Sequence, residues 1–82
     1  MVSLQYVIDT LCSSLTAKAV YEIIKARLTE GPFTVSDVLP SIQSKDLSLD
    51  FRSARVIAEA ALGELEQNGQ LRIEGKNICP IS

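Results

Sequence analysis

The sequence predicts a mainly α domain with a small β-hairpin, an α+β class. Three observations predict it. Apolar residues recur at helical offsets in successive segments up to Gly69. After Gly69 the apolar period drops to two, the mark of a half-buried strand. Turn-forming punctuation is concentrated at Gly31-Pro32, Pro40, Ser44 to Asp50, Asn68-Gly69 and Gly75, which separates the segments. With 82 residues and no internal repeat, low-complexity tract or domain boundary, the chain reads as one domain, 1–82. Its expected parts are an N-terminal helix in 1–14, a helical core in 15–69 and a hairpin in 70–81.

The first helix is expected over 3–13, where Leu4, Val7, Ile8 and Leu11 trace one face and Ser3 serves as N-cap. A second follows over 17–29, with Ala17, Val20, Tyr21, Ile24 and Leu28 inward, capped by Thr16 or Ser14 and stopped by Gly31-Pro32. Thr34 with Asp37 three residues on is a capping-box variant that starts a short helix over 35–43. Val35, Val38, Leu39 and Ile42 point inward there, and Pro40 must sit near its first turn or bend it. Residues 44–50 are a polar connection whose Leu47 and Leu49 read as packing anchors. Asp50 or Ser48 then caps a long helix over 51–67, with Phe51, Ala54, Ala58, Ala61, Leu62 and Leu65 as its inward stripe. Gln70 to Glu74 alternates as a strand. Gly75-Lys76 suits a two-residue type II′ turn, and Asn77 to Ile81 returns as an edge strand that tolerates Pro80.

Composition excludes several classes of function. Eight Lys+Arg against ten Asp+Glu, a net charge of −2, exclude a basic tail that coats nucleic acid. No histidine is present, so the commonest general base and zinc ligand is missing. Cys12 and Cys79 form no CxxC pair; they read as reduced, mostly buried small hydrophobes, with one disulfide as the alternative. No paired-carboxylate motif, nucleophile with a base, or glycine-rich phosphate cradle occurs, so no enzyme and no cofactor are expected. No apolar run reaches the length of a membrane span, and the amino terminus lacks a secretion signal. The expected setting is cytoplasmic, or nuclear in a eukaryote.

The order of helix, short helix, long helix and hairpin over Thr16 to Ile81 resembles a winged helix-turn-helix domain. Phe33 to Leu39 matches its second helix, and Ala54 to Arg72 matches its third helix running into the wing. The string Leu62, Leu65-Glu66-Gln67-Asn68-Gly69-Gln70-Leu71 is the most typical part. The N-terminal helix is an addition to that three-helix core, and the connection between second and third helices is longer than a tight turn.

The resemblance implies a third helix laid in the DNA major groove and read from its N-terminal half. By position that half holds Arg52, Ser53, Arg55, Val56 and Glu59. Arginine suits bidentate contact with guanine, Val56 a thymine methyl, and Glu59 a cytosine amine. Lys45, Arg72, Lys76 and Asn77 are the candidates for backbone contacts. Residues 45–59 with 70–77 carry five cations against four carboxylates, whereas the rest of the chain carries three against six. The asymmetry has the sign a DNA face needs but is small, so a monomer neutralises few phosphates. A homodimer through the N-terminal helix, using Leu4, Val7, Ile8 and Leu11, would double the contacts; the other reading of that helix is a cover for the chain's own core. The competing function is a winged-helix module that docks on another protein, for which Val56 and Glu59 on the outer face speak.

Overall fold

A computed structural model describes residues 3–11 and 15–81. Cys12 and Ser14 lie outside the described residues. The elements in chain order are α1 (Leu4–Leu11), α2 (Ala17–Leu28), β1 (Phe33–Thr34), α3 (Val35–Lys45), α4 (Phe51–Gln67), β2 (Leu71–Glu74) and β3 (Asn77–Pro80).

The helix starts follow from side-chain oxygens that satisfy otherwise unpaired backbone N–H groups. Ser3 Oγ accepts from the Tyr6 N–H at 3.2 Å, Thr16 Oγ1 from Ala19 at 3.2 Å, and Asp50 Oδ1 from Ser53 at 2.8 Å. The Asp37 carboxylate reaches back to accept from the Thr34 N–H at 2.8 Å, the Glu-like half of the capping box. Pro40 is the sixth residue of α3 rather than part of its first turn, and its side chain is solvent-exposed. Gly69 ends α4 with φ at +75°. The N–H groups of Gly69 and Gln70 then bond back to Glu66 O and Leu65 O, which closes a Schellman motif.

α4 is the centre of the molecule. Ala54, Ile57, Ala58, Ala61, Leu62 and Leu65 are buried along it, and α1, α2, α3 and β2 all pack on it. The stripe starts at Ala54, not at Phe51. Phe51 is the first residue of the helix, beyond the packed face, and is exposed, while Ile57 takes the inward position. Three alanines in the stripe let the neighbouring helices approach closely. Leu49 is buried as expected, but Leu47 is 91% exposed. Asp46 explains this: its carboxylate accepts from the Ser48 N–H and hydroxyl, a tight turn that turns residue 47 outward.

The sheet has three strands, not two, in the order β1-β3-β2, all antiparallel. β3 is therefore central rather than an edge. Pro80 is tolerated for a related reason. The Ile73 N–H points away from β3, to the Glu66 carboxylate at 3.2 Å, so pairs of its parity exchange no ladder bonds. Leu71–Pro80 is such a pair, and β1 reaches only Asn77 and Ile78, so the missing donor of Pro80 falls where no strand lies. The tip is the expected turn: Gly75 has φ at +62° and Lys76 has a negative φ, which fits type II′ and excludes I′.

α1 belongs to the core. Leu4 and Ile8 are fully buried and Val7 is packed against the cluster, while Leu11 is exposed. Leu4 and Ile8 are thus unavailable to a second copy, which corrects their assignment to a dimer face; the stripe covers the chain's own core. Glu64 of α4 fixes this helix. Its carboxylate accepts from the Leu4 N–H at 2.8 Å and from the Tyr21 hydroxyl. Burial and that carboxylate together push the Tyr21 hydroxyl up to about 12.

Candidate nucleic-acid interface

The side of α4 opposite its buried stripe carries Arg52, Arg55, Val56 and Glu59, all exposed, with Ser53 half-buried between them. The helical period alone puts them there: positions 52, 55, 56 and 59 repeat at the offsets of a single face, a different one from 54, 57, 58 and 61. Arg55 and Glu59, one turn apart, form an ion pair with Nε and Oε2 at 3.5 Å. Both are about half exposed, so the pair is screened and readily exchanged for another partner.

Across from this stripe stands the hairpin tip. Arg55, Glu59 and Gly63 of α4 face Gly75 and Lys76 over a groove of about 560 Å³, which the start of α3 closes at Thr34 to Ser36. The walls of the groove follow from element order. The Schellman turn at Gly69 sends β2 back along α4, and the two-residue turn at Gly75 then leaves the tip beside the outer face. Lys76 has no carboxylate in ion-pair range among the described residues.

The other expected contacts lie elsewhere. Strand parity puts Arg72, Glu74, Asn77 and Cys79 on the sheet face opposite Ile73 and Ile78, which line the groove. Arg72 is bridged there to Glu74 at 3.2 Å. Lys45, at the end of α3, borders a separate shallow depression with Ala19, Glu22, Ile23 and Ala26. The structure therefore brings Arg55, Glu59 and Lys76 together beside Arg52 and Val56, and separates Arg72, Asn77 and Lys45 from them. Sequence reasoning missed Thr34 and Ser36 as groove residues; the helical offset from Arg52 puts Gly63 on the outer stripe, but its place in a groove was missed. The signal for Gly63 was present, since a glycine in the middle of a 17-residue helix needs a reason.

Two aspartates tune the site's supports. The Ser53 hydroxyl and N–H hold the Asp50 carboxyl below the usual carboxylate range, and the Thr34 N–H does the same for Asp37. Among the described residues no group of three Cys, Asp or Glu side chains is placed to hold a metal ion, and no helix is long and apolar enough to cross a membrane. No protein-family model, curated protein or solved structure matches the chain.

Proposed function

We propose that this chain is a winged-helix DNA-binding module, a small transcriptional regulator or accessory factor, with α4 laid in the major groove of duplex DNA. The observation that carries the reading is the exposed arginine-bearing stripe of α4 standing beside a hairpin tip whose Lys76 has no ion pair among the described residues. The helix, helix, helix, hairpin order and the Schellman exit into the ribbon support the same reading. Arg52 and Arg55 take bases or phosphates, Val56 a thymine methyl, and Lys76 a phosphate on the flank. Approach to DNA draws Arg55 from Glu59, which leaves Glu59 to accept from a cytosine amine. Lys45, Arg72 and Asn77 lie off this face; the two cations contribute at most long-range attraction, and the neutral Asn77 none.

Binding of a random duplex at low ionic strength, followed by fluorescence anisotropy, tests the proposal. Affinity should fall steeply with added salt, and Arg52→Ala or Arg55→Ala should each weaken it roughly tenfold. Affinity that is indifferent to both substitutions would remove α4 as the reading element.

One observation favours a second reading, docking on another protein. Leu47, Phe51 and Val56 are large apolar side chains exposed at or near the start of α4. A pull-down partner lost on Val56→Glu, by a chain with no duplex affinity, would establish it instead.

A further inference from the structure

We propose that the groove between α4, the β2–β3 hairpin and the start of α3 is a binding site for a small organic anion with an apolar body. At about 560 Å³ it lies within the size range of small-molecule sites, roughly 300–1,000 Å³. Its floor is apolar. Val35, Gly63 and Ile73 are half-exposed on it, with the buried side chains of Leu62 and Ile78 behind. Its rim carries two cations, Arg55 and Lys76, against one carboxylate, Glu59. Glu59 is already engaged with Arg55, and Lys76 is without a carboxylate partner among the described residues, so the unmet charge at the rim is positive. A carboxylate or sulfonate matches that charge, and an apolar body matches the floor.

Gly63 is the independent observation. It lies inside α4, where glycine is less stable than alanine. Its φ is not positive, so the backbone does not require it. A Cβ built there meets nothing within 4 Å, so packing does not require it either. What glycine does at this position is keep the groove floor deep. A side chain at 63 would project into the groove, and its absence leaves that volume open for an occupant.

Calorimetric titration of the full chain with decanoate, below its micellar concentration, tests the proposal. Decanoate should bind at one site per chain, decylamine about tenfold more weakly or not at all, and inorganic phosphate should not compete. Gly63→Leu fills open space, so it should fold with an unchanged far-ultraviolet spectrum and lose decanoate binding. Should that variant fail to fold, Lys76→Gln, at an exposed tip, reads the same site and should weaken decanoate about tenfold. No decanoate binding, equal binding of decylamine, or decanoate binding that a folded Gly63→Leu or Lys76→Gln leaves unchanged would overturn the assignment. None of these readouts involves DNA, so a chain that fails to bind duplex still tests the groove.

Discussion

Single residues decide where this chain turns and what its surfaces expose. Gly75 must hold a positive φ, so Gly75→Val should cost roughly 1–2 kcal/mol, read as a lowered denaturation midpoint. Gly63 is the opposite case, with ordinary helical geometry and open space where a Cβ would stand. Gly63→Ala should therefore raise stability by about 0.5–1 kcal/mol in urea melts. Asp37 and Asp50 each make stability depend on acid pH. Both are held below their ordinary range in the folded state, so their stabilising effect is present above the unfolded carboxylate range, about 4. It is lost as the pH falls from there through their folded values. Urea midpoints measured from neutral to acid pH should drop in that window, and Asp37→Asn with Asp50→Asn should flatten the drop. At this scale the sequence was legible wherever a local rule operates. Ser3, Thr16 and Asp50 cap as expected, because a cap needs only its own helix start. Leu47 was misread because its fate depends on the Asp46 turn, and a lone apolar residue in a loop carries no periodicity to betray it.

At the scale of elements, the four helices and the hairpin were legible because each holds a full period of apolar residues. β1 was not. Two residues cannot alternate, and Phe33–Thr34 is a strand only because β3 lies beside it. The same blindness made β3 look like an edge. The start of the α4 stripe was misjudged by one position set, since Phe51 fits the helical offsets but lies beyond the elements that cover the helix. The role of α1 was open in the sequence, as an apolar stripe looks alike whether a core or a second chain covers it. Its burial on α4 makes a prediction. Ile8→Ala removes a fully buried side chain and should cost about 2–5 kcal/mol, read by chemical denaturation. Glu64→Ala removes the acceptor of the Leu4 N–H and the Tyr21 hydroxyl, so amide exchange in residues 4–8 should quicken ahead of that in α4.

At the scale of the whole molecule, the fold sorts charge in a way the sequence could not. Counting residues put Arg55, Arg72, Lys76 and Asn77 in one basic region. Strand parity divides them, with Lys76 beside α4 and Arg72 and Asn77 on the far sheet face. What remains is a narrow face of Arg52, Arg55, Val56, Glu59 and Lys76, smaller than the residue count suggests; on the proposed reading its few cations give a single chain a weak, salt-sensitive affinity for DNA. The most direct measurement is a ¹⁵N amide shift map of the chain titrated with a short duplex. Shifts concentrated in 51–63 and at Gly75-Lys76, with 17–28 and 71–73 quiet, are the predicted result. Shifts centred on α2, on the Arg72 face of the sheet, or absent at saturating duplex would contradict it.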